Sequence, residues 1–257
     1  MKVISVSNIK GGSGKSTTVA HLACALGRRG KTLVVDLDMQ GDVTDFCLPD
    51  LTLDKIEDKN ILSVFLGLKP IRECIFTTKN FDVLPSTLNL SKLHKYSPDS
   101  MSLSLQFKRS LEEIKKDYKY VVMDTPGSAK HELTAALYNS DLILIPVTPS
   151  KWTIRAVNLL LDEITVTETL FSQKKKTAFV PSLFGASKKH RELLDRLKQI
   201  EEIPTLGEIP KSESIKTKTE KQEILKKDTN AWFAFDRLAD EVLALVDPEE
   251  NLIFFRS

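Results

Sequence analysis

An α/β fold built on a doubly wound, mostly parallel sheet flanked by helices is what this 257-residue sequence predicts, and three observations carry that expectation. Short apolar runs alternate with helix-periodic stretches from one end to the other. Runs such as Leu142-Ile143-Leu144-Ile145 are apolar at every position, which suits strands covered on both faces. Three of the ten glycines crowd into positions 11–14, at the first strand-to-helix turn, where open sheets of this kind place their ligands.

The elements follow in order. Lys2–Ser7 reads as the first strand, and Ser16–Arg29 as a helix with Val19, Leu22, Ala23 and Leu26 on one face, closed by Gly30. Thr32–Val35 is the second strand. Further strands are expected at Phe81–Leu84, Tyr120–Met123, Leu142–Val147 and Thr177–Pro181. Between them lie helical stretches at Ser102–Asp117, Ser128–Asn139, Thr153–Leu170 and Lys188–Ile200, and a helix at Asn230–Leu245 closes the pattern. No linker or repeat interrupts the alternation, so residues 1–257 are expected to form one domain. The run Lys174-Lys175-Lys176 reads as a solvated loop.

Composition narrows the function. With 41% hydrophobic and 28% charged residues the chain can bury a core, which excludes a disordered or fibrous protein. A formal charge of +2 demands no polyanionic partner, so any basic patch must be local. Cys24, Cys47 and Cys74 are odd in number and contain no C-x-x-C pair, which argues against a disulfide framework, a zinc ribbon or an iron–sulfur carrier and suits a reducing cytosol. His21, His94, His131 and His190 show no metal-ligand spacing. Val3–Ser7 is too short and polar for a signal peptide, and nowhere do 18 apolar residues run together.

The segment Asn8-Ile9-Lys10-Gly11-Gly12-Ser13-Gly14-Lys15-Ser16-Thr17 carries the chemistry. Glycines permit positive φ and leave no Cβ, so successive backbone N–H groups can converge on a phosphate at the positive end of a helix. Lys15 is then placed for the β- and γ-phosphates and the Ser16 hydroxyl for Mg²⁺. The common G-x-x-x-x-G-K-[ST] pattern is modified, because Asn8 stands at its first glycine and a second lysine, Lys10, opens the loop.

In these residues the sequence resembles the deviant Walker-type ATPases of the ParA/MinD family, whose loop carries an additional signature lysine. Asp36-Leu37-Asp38-Met39-Gln40-Gly41-Asp42-Val43-Thr44 is similar to the D-x-D-P-Q-G-N-x-T of the ParA branch, and Tyr120–Gly127 to its Walker B with D-T-P-P. Leu144–Val147 and Glu208–Lys211 fall in the right order for two late proline-bearing elements, so the likeness runs over about residues 1–220. Met39, Asp42 and Gly127 depart from the usual proline, asparagine and second proline. Residues 211–218 lack the arginine-bearing turn that ParA proteins commonly have there.

The resemblance implies a P-loop nucleoside triphosphatase fold and a weak, Mg²⁺-dependent ATPase that a partner stimulates. Its nucleotide site would comprise Lys10, Gly11, Gly12, Ser13, Gly14, Lys15, Ser16 and Thr17, with Pro210 on the adenine side. Ser16, Asp36, Asp38 and Asp124 would lie at the metal, Asp38 orienting the attacking water. Lys10 would reach across a face-to-face homodimer to the partner's ATP, so that hydrolysis dissolves the dimer. No arginine occurs in the loop or the D-x-D segment, which fits slow basal hydrolysis.

A basic stretch suggests what the ATP state binds. Residues 172–227 hold 14 Lys and Arg against 8 acids, and Lys188, Lys189, Arg191, Lys211, Lys216 and Lys218 are the candidates for nonspecific contact with DNA phosphates. With the first strand starting at Lys2 no helix-turn-helix precedes it, so the likeness is to short, Soj-like ParA proteins. These imply plasmid or chromosome partitioning with a ParB-like centromere-binding protein, in the cytoplasm and on the nucleoid. Two alternatives stay open: a MinD-like membrane-cycling ATPase, or a ParA-like ATPase positioning a protein cargo. The short apolar stretch 251–257 is expected to pack on the domain rather than enter a membrane.

Overall fold

A computed structural model describes residues 1–96, 99–185 and 187–248; the stretch 251–257 lies outside the described residues. The chain begins on β1 (Lys2–Val6), turns into α1 (Lys15–Gly27) and returns on β2 (Thr32–Asp36). Short pieces follow: α2 (Asp42–Cys47), α3 (Leu53–Ile56), α4 (Ile61–Phe65), β3 (Phe76–Thr77), β4 (Asp82–Leu84) and α5 (Leu93–Tyr96). Longer alternation resumes with α6 (Ser100–Glu113), β5 (Tyr120–Asp124), α7 (His131–Asn139) and β6 (Leu142–Val147). Then come α8 (Thr153–Phe171), β7 (Lys176–Pro181), α9 (Lys188–Lys198), α10 (Glu213–Glu220) and α11 (Asn230–Val246).

The seven strands lie in the order β3-β4-β2-β5-β1-β6-β7, all parallel to their neighbours except β3 against β4. Alternation along each strand sorts the side chains. Ile4, Val6, Val34, Val122 and Leu144 pack under α1 and α11, whereas Val3, Leu33, Val35 and Val121 pack with residues of α4 and α6. Ile143, Ile145 and Phe179 face α7, α8 and α9. Both faces are thus covered, which is why the central strands are apolar throughout.

Two devices fix α1, the helix that opens from the phosphate loop. Arg29, just past its end, bonds Asp236 at 2.9 Å and Asp240 at 2.7 Å on α11, while Arg28 bonds Asp236 at 2.7 Å and lies 4.5 Å over the Trp232 ring. At Gly27 the Asn80 carbonyl oxygen comes within 2.3 Å of where a Cβ would stand, so only glycine lets the helix end seat there.

The principal strands and helices fall where the sequence places them, with ends shifted by up to four residues. β2 and β5 each run one residue further than expected, ending on Asp36 and Asp124. Residues 41–80 and α10 were unassigned from sequence, being pieces of two to eight residues in which periodicity cannot develop. The lysine run corrects one expectation. Lys176 starts β7, and half-buried Lys175 donates to the Tyr138 and Ser140 carbonyls, its ammonium pushed down to about 8 by burial.

Candidate nucleotide site

The phosphate loop hangs between the ends of the central strands. Asn8 donates from Nδ2 to the Pro146 carbonyl at 2.7 Å, tying the loop to the end of β6. Gly12 (φ 68°) and Gly14 (φ 82°) sit in the left-handed region, which turns the backbone back on itself before α1. Gly14 caps α1 without a side chain, leaving the first-turn N–H groups for a ligand. A Cβ built at Gly11, Gly12 or Gly14 meets nothing within 4 Å, so the loop forms an open cradle.

Beyond the cradle lies a cleft of about 450 Å³, reached by residues 11–17, Asp38, Met39, Gly127, Lys130 and Glu132. Lys15 is buried, with Nζ 3.4 Å from the Lys10 carbonyl oxygen and 3.6 Å from where a Cβ on Gly127 would stand. The buried Ser13 hydroxyl has no hydrogen-bond partner among the described residues.

The carboxylates have distinct situations. Asp36 and Asp124 are register partners at the tips of β2 and β5, both wholly buried. Asp124 accepts from the Ser16 hydroxyl at 2.7 Å on Oδ2, while its buried Oδ1 has no partner among the described residues. Burial first, then repulsion by Asp36, pushes the Asp124 carboxyl well above the ordinary range; burial likewise raises Asp36. Asp36 spends both oxygens on the backbone: Oδ1 accepts from the Asp38 N–H at 3.0 Å, and Oδ2 from the Thr44 N–H at 2.9 Å and hydroxyl at 2.7 Å. It thereby pins the segment carrying Asp38, whose own Oδ1 accepts from the Gln40 N–H at 3.0 Å on the rim of the cleft.

An orphaned carboxylate oxygen beside a serine hydroxyl, under high negative charge density and a phosphate-shaped cradle, is a donor set that fits Mg²⁺. Ser16 and Asp124 supply it. Asp36, with both oxygens taken, braces the segment of Asp38 instead.

Some of the expected residues stand apart. The Lys10 side chain turns away from the cleft, with Nζ 2.8 Å from Ser150 Oγ and 3.4 Å from Thr148 Oγ1 in the β6–α8 loop. Pro210 lines a different hollow with Phe233 and Arg237, because Ile209 pairs along the edge of β7 and directs the chain there. Next to Ser16 and Thr17 on the α2 side stand Thr219, Glu220 and Gln222 instead. The basic candidates divide between α9 with Lys188, Lys189 and Arg191, Lys211 before α10, and α10 with Lys216 and Lys218. Lys188 pairs with Glu192 and Lys216 with Glu220, each at 3.9 Å, and Lys218 pairs with Glu223. Sequence reasoning placed Thr44 in the D-x-D motif but missed its bond to Asp36, and it missed Lys130 as a second lysine at the cleft beside Lys15. A lone residue in the loop before α7 gives no spacing signal for Lys130.

A family model described as an AAA domain matches residues 1–202. The uncharacterized protein MJECL24 of Methanocaldococcus jannaschii is 34% identical over 257 residues, covering 95% of this chain and 98% of its own. The sporulation initiation inhibitor protein Soj of Bacillus subtilis is 30% identical over 174 residues, 63% of this chain and 64% of Soj. The chain belongs to the ParA/MinD family of Walker-type ATPases. This ParA-type ATPase spans less than two thirds of Soj, and 62% of the chromosome partitioning protein ParA of Caulobacter vibrioides. Its fold is shared with a plasmid partition protein of Borrelia burgdorferi bound to AMPPNP (TM-score 0.83, 24% identity, 94% of this chain and 98% of that one). It is shared equally with cobyrinic acid a,c-diamide synthase of Mycobacterium smegmatis, bound to an ATP analog and magnesium (TM-score 0.81, 24% identity, 95% of each chain). At these identities the likeness is one of fold, and the fold by itself does not choose the reaction.

Proposed function

We propose that this chain is a slow, Mg²⁺-dependent ATPase that pairs with a second copy around ATP, binds DNA without reading its sequence, and partitions DNA with a ParB-like partner that stimulates hydrolysis. The observation carrying this reading is the buried, unpartnered Oδ1 of Asp124 with Ser16 on its other oxygen, set beneath the open glycine cradle. In that arrangement the backbone N–H groups of residues 11–16 hold the phosphates and Lys15 neutralises the β- and γ-oxygens. Mg²⁺ held by Ser16 and Asp124 supplies the rest of the charge neutralisation. Asp38, pinned through Asp36, orients water at the rim.

Lys10 points to the dimer. Its ammonium rests on Ser150 and Thr148 rather than on its own cleft, which leaves it for a nucleotide presented by a second copy. The three charge pairs on α9 and α10 are exposed; pairs of this kind contribute little, so the lysines stay available to phosphate. Among the described residues no helix is long and apolar enough to cross a membrane. Partition, rather than a protein cargo, is favoured by the function named for one relative, the chromosome partitioning protein ParA of Caulobacter vibrioides, and a place on the nucleoid follows from DNA binding. The single-domain reading of residues 1–257 belongs to the same proposal.

Sedimentation of wild type and Asp38→Ala with ADP or ATP, with and without nonspecific DNA, tests it. The expected result is a dimer with ATP alone, trapped by Asp38→Ala and carried onto DNA. A monomer in every nucleotide state would overturn the reading, and ATP-dependent pelleting with liposomes in place of DNA would assign the membrane-cycling alternative.

A further inference from the structure

Among the described residues that line the cleft, the cations are Lys15 and Lys130 and the acids are Asp38, Asp42 and Glu132. Asp36 and Asp124 lie wholly buried beneath them. Lys10, the other lysine of the phosphate loop, is turned away onto Ser150 and Thr148. A triphosphate stays strongly anionic even with Mg²⁺ bound, so an excess of acids at the mouth of its site opposes it, and Lys15 alone does not offset them. The function proposed above leaves Lys130 unused.

The turn that carries Lys130 fixes its place. After Asp124 the chain passes over the phosphate loop, where a Cβ on Gly127 would stand 3.6 Å from Lys15 Nζ and 3.8 Å from the Gly11 nitrogen. Lys130 follows as the N-cap of α7, and its carbonyl accepts from the Leu133 and Thr134 N–H groups at 3.0 and 3.2 Å. Leu133 and Leu137 seat that helix in the core with Ile143 and Ile145 of β6. The backbone under Lys130 is thus held at the rim, while its exposed side chain makes no ion pair and no side-chain hydrogen bond among the described residues. Burial raises the Glu132 carboxyl on the cleft wall; its own backbone and then the Lys130 ammonium pull it back, and Asp38 pushes it up again. Lys130, Glu132 and Asp38 therefore share one field across the mouth of the cleft. An unpaired lysine on an open surface is ordinary. One at the mouth of a phosphate cradle, where acids outnumber the other cation, has an anion to meet.

We propose that Lys130 is a catalytic residue, closing on the γ-phosphate of the nucleotide held by its own phosphate loop and supplying, within one protomer, the positive charge that Lys15 alone does not. It stands with Asp38 on the side where the terminal phosphate meets water. A lysine acts there as a point charge, offsetting the negative charge that the transferring phosphoryl group spreads over its oxygens. The inference rests on the ATPase reading above and names the residue that carries the slow hydrolysis of a single copy, whereas Lys10 serves the pair.

Calorimetry of the full chain with Mg-ADP and with Mg-AMPPNP, in wild type and in Lys10→Ala, tests this role. Lys130→Ala is expected to weaken AMPPNP by roughly tenfold or more and ADP by less than about threefold, because only the former carries the phosphate that the ammonium meets. The same selective loss is expected in the Lys10→Ala background, where no second copy is engaged. Lys130→Arg keeps the preference for the triphosphate, and Lys130→Ala slows ATP turnover at saturating nucleotide by roughly tenfold or more. Lys130 faces solvent, so circular dichroism should show these variants folded as wild type. Equal losses for ADP and AMPPNP, an unchanged preference between them, or a loss that vanishes in Lys10→Ala would overturn the proposal, the last by assigning Lys130 to the nucleotide of a second copy. Those three outcomes leave the ATPase reading standing. A wild type that takes up neither nucleotide overturns both.

Discussion

Lys10 and Lys15 are five positions apart and have different surroundings. Lys15 is buried among the loop carbonyls, while Lys10 is held outside by two hydroxyls. Lys10→Ala is therefore expected to bind Mg-ATP with near wild-type affinity by calorimetry and to lose ATP-dependent dimerisation by about two to three decades, the effect of removing one partner from a buried charge contact. His21 supports a second prediction. Burial between Phe46 and Phe235 lowers its imidazole to about 4, so it stays neutral in the fold while the unfolded chain protonates near 6.5. The unfolded state then binds more protons between those values, and stability falls as pH drops from 6.5 to 4, by about 3 kcal/mol in all. His21→Leu should remove that share of the acid slope, read from denaturant melts at pH 7 and pH 5. At this scale the sequence was legible where residue type and spacing encode chemistry, as in the glycines, Lys15, Ser16 and Asp124. It was silent on the bonds from Thr44 to Asp36, on Lys130, and on the resting place of Lys10, because each depends on how a segment folds back beside a strand.

Among the elements, the turn from β1 into α1 is the most constrained. Gly14 holds φ 82° at the helix N-cap, a conformation that costs a residue with a Cβ about 1–2 kcal/mol. Gly14→Ala should lower the melting temperature modestly, yet reduce ATP affinity more than tenfold by calorimetry, since the new methyl enters the space that the phosphates need. Strands β1, β2, β5, β6 and β7 were readable because burial on both faces forces continuous apolar runs. The stretch from 41 to 80 was not readable: α2, α3, α4 and β3 are each held by a few tertiary contacts, too short for a period to show. The same applies to α10, whose one buried side chain is Ile215. The clamp of Arg28 and Arg29 onto α11 joins residues more than 200 positions apart, which no local pattern announces.

For the whole molecule, a near-neutral chain conceals a strongly basic segment between 172 and 227. If that segment meets DNA, binding should fall steeply with salt, with a log–log slope that flattens when Lys188, Lys189 and Lys211 are changed to Glu together. Mobility shifts on a random duplex with Mg-ATP would show it, and a salt-independent shift would remove DNA from the account. The doubly wound, mostly parallel sheet and the glycine loop at the end of its first strand were accessible from sequence, because parallel strands with covering helices leave few arrangements open, whereas the strand order was read from the structure alone.

The close seat of Gly27 on the Asn80 carbonyl oxygen has a reach beyond its own neighbourhood. Helix α1 is a stiff rod of 13 residues, about 20 Å long, anchored at that end and opening into the phosphate cradle at the other. Any methyl wedged beneath the anchored end would tip the rod, and the tilt would be delivered at the triphosphate, far from the altered residue.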